Sequence, residues 1–142
     1  MITINEIQDE IIDEFSFFDD WMGKYEHIIE QGKELAPLAK SYYVDENLVK
    51  GCVSQVWLHS SMEDGSVKFE ADSDAIITKG LVAMVIRVLS GHPPEEIFNA
   101  NLYFVDEVGL REHLSPNRSN GLVAMIKKMK TYAVGFSVKQ EN

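Results

Sequence analysis

Val53-Ser54-Gln55-Val56-Trp57-Leu58-His59-Ser60-Ser61-Met62-Glu63-Asp64-Gly65-Ser66-Val67-Lys68-Phe69-Glu70-Ala71 is the stretch that decides the fold. Val53 to Ser60 alternates around Val56 and Leu58, and Val67 to Ala71 alternates without a break, the period-two pattern of strands with one buried face. Asp64-Gly65 between them tolerates the positive φ that a tight hairpin turn requires. A β-hairpin is predicted, with Cys52, the only cysteine of the chain, on a loop at the start of its first strand.

On both sides of the hairpin the apolar period changes to that of helices. Downstream, Ile77, Leu81, Met84, Val85 and Val88 make a broad apolar face closed by Gly91 and Pro93, which predicts a central buried helix capped by Ser73 or Asp74. Gly80 inside it costs ~1 kcal/mol relative to alanine, so another backbone, or the sulfur-bearing loop, is expected to pack closely there. Upstream, Ile4, Ile7, Ile11, Phe15 and Phe18 predict an amphipathic helix. Trp21, Tyr25, Ile28 and Ile29 predict a second, capped by Asp19 or Asp20 and stopped near Gly32, and the two are expected to form a hairpin. Periodicity fades from Lys33 to Gly51, where Pro37 interrupts. After Pro93-Pro94 short irregular pieces are expected. Ser115-Pro116 then supplies a cap and a first-turn proline for a last helix through Leu122, Met125, Ile126 and Met129. Lys127, Lys128 and Lys130 fall toward its C-terminal end, where cations offset the helix dipole. Together the pieces predict an α+β fold, a short antiparallel β-sheet packed against helices, as a single domain spanning 1–142.

Charge narrows the function classes. Thirteen Lys and Arg against 23 Asp and Glu leave a net charge of −10, which repels a nucleic-acid backbone and excludes DNA and RNA as partners. The longest apolar stretch, Ile76 to Leu89, is broken by Lys79 and Arg87 and falls short of the roughly 20 residues needed to cross a bilayer, so no membrane role is expected. The opening acids Glu6, Asp9, Glu10, Asp13 and Glu14 are unlike a signal or transit peptide, and a cytoplasmic setting is expected. A single cysteine can form neither an intrachain disulfide nor a multi-thiolate metal site, so no metal is expected.

Cys52 has two readings, a small buried apolar residue or a reactive thiol. Gly51 before it lets the backbone bend sharply and leave the sulfur within reach of another protein. His27, His59, His92 and His113 have no triad or metal-ligand spacing, and only His59 stands near Cys52 along the chain, which disfavours a self-contained hydrolase. Asp72-Ser73-Asp74 reads either as a cation-binding carboxylate pair or, more simply, as a helix cap. Arg118, following the Ser115-Pro116 cap, carries a fixed positive charge that could stabilise a thiolate or persulfide if the fold brings it near Cys52. Spacing alone slightly favours an ordinary surface or ion-pair arginine.

Three segments together resemble the SufE family: Gly51-Cys52-Val53-Ser54-Gln55-Val56-Trp57, Asp72-Ser73-Asp74-Ala75 leading to Lys79-Gly80-Leu81, and Leu114-Ser115-Pro116-Asn117-Arg118-Ser119-Asn120-Gly121-Leu122. They occur in the family's order behind a two-helix opening around Trp21 and Tyr25. Val53 departs from the pattern, which is commonly polar there. The resemblance implies an α+β fold like that of IscU-type scaffolds. It also implies a sulfur acceptor and activator for a SufS-type cysteine desulfurase, carrying persulfide sulfur on Cys52 toward an iron–sulfur scaffold. Gly51 and Arg118 would support the thiol, and Val53, Ser54, Gln55, Asp72, Ser73 and Asp74 would meet the partner. No cofactor is implied for this chain, since pyridoxal phosphate belongs to the desulfurase, and the chain is not a stand-alone enzyme. The alternatives are a non-covalent adaptor and a thiol redox sensor, the latter weakened by the lack of a resolving cysteine.

Overall fold

Thr3 opens the first helix with a reciprocal cap: its hydroxyl accepts from the Glu6 amide while the Glu6 carboxylate accepts from the Thr3 amide. The computed structural model describes residues 2–141. In order it contains α1 (Ile4–Phe15), α2 (Trp21–Lys33), two 3-10 turns (Lys40–Tyr42 and Asp45–Asn47), β1 (Val56–Glu63), β2 (Ser66–Ser73), α3 (Ile76–Leu89), α4 (Pro94–Phe98), α5 (Phe104–Val108), α6 (Leu110–His113) and α7 (Pro116–Glu141). Helices therefore surround one two-stranded antiparallel sheet, the expected α+β architecture.

The hairpin pairs Val56 with Ser73 through Glu63 with Ser66. Asp64 and Gly65 both take positive φ, 50° and 81°, the geometry of a two-residue type I′ turn. Val56 and Leu58 on one strand and Val67, Phe69 and Ala71 on the other turn inward to the core, where β2 packs on α3 and β1 touches α7. β1 begins three residues later than the alternation predicts. Before Val56 the chain is still in a loop, closed at its base by the Val49 amide donating to the Val56 carbonyl at 2.8 Å.

α3 is the central helix, with Leu81, Val82, Met84, Val85, Val88 and Leu89 buried. Its N-cap is Ala75, which makes no side-chain cap bond; the expectation that Ser73 or Asp74 caps it is corrected, because the Asp74 carboxylate accepts from Gln55, and the Ser73 hydroxyl, which donates to Gln55, accepts only from the Ala75 amide and reaches no amide of the first turn. Gly80 meets the expected close approach, and the neighbour is the backbone of α2. A Cβ on Gly80 would stand 2.1 Å from the Ile28 carbonyl oxygen, and one on Gly32 2.8 Å from the Gly80 nitrogen. Glycine on both helices lets their axes approach. The opening helices do not pair along their length as expected. They meet through Phe15, Phe18 and His27 near their connection, while α2 lies on α3 and α1 packs on α3 and α5. Buried Gln8 fixes the α1–α5 contact, donating to the Asn101 carbonyl and accepting from the Phe104 amide.

The last helix is longer than predicted. Its buried stripe Leu122, Met125 and Met129 continues through Ala133 and Ser137, so the helix runs to Glu141 and the three lysines lie in its middle. The dipole therefore does not explain them, since its field acts within the terminal turns.

Candidate functional site

Cys52 sits in the loop between Val49 and Val56, fastened at both ends and light in the middle. At the root, Leu48 pairs with Trp57 as an isolated bridge, next to the Val49–Val56 bond. At the exit, the Gln55 amide donates to the Asp74 carboxylate at 3.0 Å, and the Gln55 carbonyl accepts from the Ser73 hydroxyl at 2.8 Å and the Asp74 amide at 3.3 Å. Gly51 turns the chain with φ 91°, a value that strains any residue with a Cβ.

The half-buried thiol leans on α7, donating to the Gly121 carbonyl at 3.5 Å. Gly121 makes this seat possible, because a Cβ there would lie 3.3 Å from the sulfur. Burial pushes the Cys52 thiol up from its ordinary pKa, so the seated sulfur is a neutral S–H, a weak nucleophile. Beside it opens a cavity of ≈ 320 Å³ lined by Cys52, Val53, Ser54, Thr78, Ser115, Asn117, Arg118, Gly121 and Met125. Arg118 is brought there by the first turn of α7, whose start is capped by the Ser115 hydroxyl accepting from the Arg118 amide.

The fold thus gathers Gly51, Cys52, Val53, Ser54 and Arg118 at one place. Val53 is 77% exposed, an apolar side chain held in solvent beside the thiol. Gln55, Ser73 and Asp74 form the exit latch, with Ser73 buried. Asp72 stands apart, accepting from the Tyr43 hydroxyl at 2.5 Å and pairing with Lys79 at 3.3 Å. Burial opposes its ionisation, but hydrogen bonds from Tyr43, the Ser73 amide and Lys79 outweigh it and hold the carboxyl below the usual range. His59 is not at the cavity; it stacks on Tyr42 with ring centroids 3.7 Å apart. Sequence reasoning gave no site role to Gly121, Thr78 or Met125. For Gly121 a signal existed: glycine inside a predicted helix calls for a close neighbour, the inference drawn at Gly80.

The family model of SufE, the Fe-S metabolism associated domain, matches residues 9–133. The chain belongs to the SufE family. It is 46% identical over 130 residues to a SufE-like protein of Rhizobium etli, covering 88% of each chain. It is also 42% identical over 133 residues to the chloroplastic/mitochondrial SufE-like protein 1 of Arabidopsis thaliana, covering 93% of this chain and 36% of that longer one. A solution structure of a hypothetical protein from Thermus thermophilus shares the fold with a TM-score of 0.76 at 19% identity, over 95% of this chain and 97% of that one. Membership places the chain in iron–sulfur metabolism. Among the described residues no cluster of three His, Cys, Asp or Glu side chains could hold a metal, and no helix is long and apolar enough to cross a membrane.

Proposed function

We propose that this chain is a covalent sulfur carrier: it accepts persulfide sulfur on Cys52 from a SufS-type cysteine desulfurase, stimulates that enzyme, and passes the sulfur to an iron–sulfur scaffold. The observation that carries the reading is the seating of a lone thiol on a glycine-hinged loop, tied to the body by one weak hydrogen bond and sharing a cavity with Arg118. While seated, the sulfur is protonated and sheltered. Once off Gly121 it regains its ordinary acidity, and the guanidinium favours the anion.

In the transfer, the Cys52 thiolate attacks the terminal sulfur of the donor persulfide. A new S–S bond forms at Cys52 as the donor's S–S bond breaks, the donor sulfur leaves as a thiolate, and no net oxidation occurs. Lack of a second cysteine protects the cargo, because no intrachain thiol can displace it as a disulfide. Pyridoxal phosphate chemistry stays in the donor. Gly51 is the hinge and Arg118 the supporting cation. Val53 and Ser54 are the contacts nearest the thiol, and Gln55 is the fixed end of the moving segment. Ser73 and Asp74 brace that end, and Asp72, linked to Tyr43 and Lys79, lies at the border of the partner surface. The continuous buried core supports treating 1–142 as one domain, and a reducing cytoplasm is the setting that keeps the thiol available.

The test is desulfurase turnover with a reductant present. Wild-type chain should raise the rate, Cys52→Ser should abolish the rise, and Arg118→Ala should reduce it about tenfold with an unchanged melting temperature. Full stimulation by Cys52→Ser would establish a non-covalent adaptor instead, and unaltered kinetics in Arg118→Ala would remove that residue from the site.

A further inference from the structure

The lysines in the middle of α7 need another explanation than the helix dipole. Lys130 has one, donating to the Ala100 carbonyl at 2.5 Å. Lys127 and Lys128 join Lys50 around a separate cleft of ≈ 460 Å³, further along α7 than Arg118, with Leu48, Val49 and Ala124 as its apolar lining and Asp45, Glu46 and Thr131 completing the wall. Gly51 rests against this wall, its Cβ position 3.4 Å from the Ala124 methyl carbon, so the cleft and the thiol cavity flank the same loop.

Lys128 is anchored, donating to the Leu48 carbonyl at 2.9 Å and the Glu46 carbonyl at 3.5 Å. Burial, and after it the neighbouring charge of Lys50, pushes its pKa down. Among the described residues none of the three lysines is within salt-bridge distance of a carboxylate; the same holds for Lys24, Lys40, Arg118, Lys130 and Lys139, and Lys50, Lys127 and Lys128 line one cleft. On a chain of net charge −10, three lysines gather beside the loop that carries the thiol.

We propose that this cleft is a docking site for an acidic segment of the desulfurase, its carboxylates over Lys50 and Lys127 and an apolar side chain against Leu48, Val49 and Ala124. The proposal rests on the desulfurase being the partner. A nucleic acid is disfavoured by the net charge of −10, which repels a long phosphate backbone from most of the surface, whereas a short acidic segment meets only the cleft. A second copy could offer the acidic face of α1 around Glu6, Asp9, Glu10 and Asp13, an occupant that sedimentation of the chain alone tells apart from the desulfurase.

The experiment measures binding of the Cys52→Ser chain to the SufS-type desulfurase by calorimetry at low and high salt, with and without Lys50→Glu plus Lys127→Glu. The reversals should weaken binding on the order of tenfold at low salt, with the difference shrinking as salt rises, while Lys50→Arg plus Lys127→Arg retains affinity. Unchanged affinity, or a loss equal at all salt concentrations, would overturn the proposal. So would finding that the lysines govern self-association of the chain in sedimentation, or capture of a labelled oligonucleotide, in place of desulfurase binding. Removing the thiol separates this result from the sulfur chemistry. Lysine-dependent binding by the Cys52→Ser chain sustains the docking site by itself; a wild-type chain that binds in the same way and yet gains no sulfur during turnover would defeat the carrier reading alone, and no binding by any variant would defeat the docking site and the partner assignment together.

Discussion

Substituting Gly121→Ala tests whether the thiol's seat on α7 governs its reactivity. The added Cβ would stand 3.3 Å from the Cys52 sulfur and 3.8 Å from its Cβ, so one side must yield by a few tenths of an ångström. Forcing the same crowding on a rigid core would cost about 1–3 kcal/mol. Here the neighbour is the tip of a loop whose one side-chain tie to α7 is the bond to Gly121, so the loop moves and the helix does not. The expected penalty on the seated state is the lost bond and part of its packing, about 1 kcal/mol, which shifts the seated-to-released equilibrium about fivefold. Alanine in the helix offsets this globally, gaining up to ~1 kcal/mol over glycine. The assay is iodoacetamide alkylation of Cys52 at fixed pH beside thermal unfolding. Alkylation should accelerate about fivefold while the melting temperature holds or rises. An unchanged or slower rate would refute the seat, and a lower melting temperature without faster alkylation would show that α7 gives way instead.

Asp74→Ala removes the acceptor of the Gln55 amide and should raise the alkylation rate of Cys52 at a stability loss below about 1 kcal/mol; urea denaturation and alkylation measured together check it, and an unchanged rate would show that the latch does not restrain the thiol. Gly80→Ala puts a Cβ 2.1 Å from the Ile28 carbonyl oxygen, a backbone clash that should destabilise by about 3 kcal/mol in urea, and a wild-type midpoint would contradict the α2–α3 packing. Glu14 is held below the usual glutamate range chiefly by its hydrogen bond from Arg87, against some burial and with help from His27. Its contribution is therefore present above the ordinary glutamate pKa and lost as pH falls through the depressed folded value. Glu14→Gln should lower the melting temperature near neutrality and flatten the acid limb, and an acid limb as steep as the wild type's would refute the assignment.

Most of the scaffold was legible because it depends on short-range pattern. The hairpin turn, the α3 face, the Asp20 and Ser115 caps and the need for a close neighbour at Gly80 each follow from residues a few positions apart. What was misread depends on distant partners. Ser73 and Asp74 have the right spacing for a cap, but Gln55, which bonds to both, arrives from the loop ahead of β1. Reading Lys127, Lys128 and Lys130 as lying toward the C-terminal end of the last helix overlooked Ala133 and Ser137, whose small side chains extend the buried stripe without strong hydrophobicity. At the site, Gly51 and Cys52 were visible as neighbours, and Arg118 was named through its charge and the family resemblance. That Arg118 shares the thiol's cavity, and that Gly121 forms its seat, depends on how α7 lies across the loop, a contact 69 residues away in sequence.

The central claim is that foreign sulfur rests covalently on Cys52. Intact-mass spectrometry of the chain after incubation with a SufS-type desulfurase and cysteine tests it most directly. The mass of one added sulfur is expected on the wild-type chain, removed by reductant and absent from Cys52→Ser. A wild-type mass that stays unmodified while the desulfurase turns over, or an equal gain on Cys52→Ser, would contradict it.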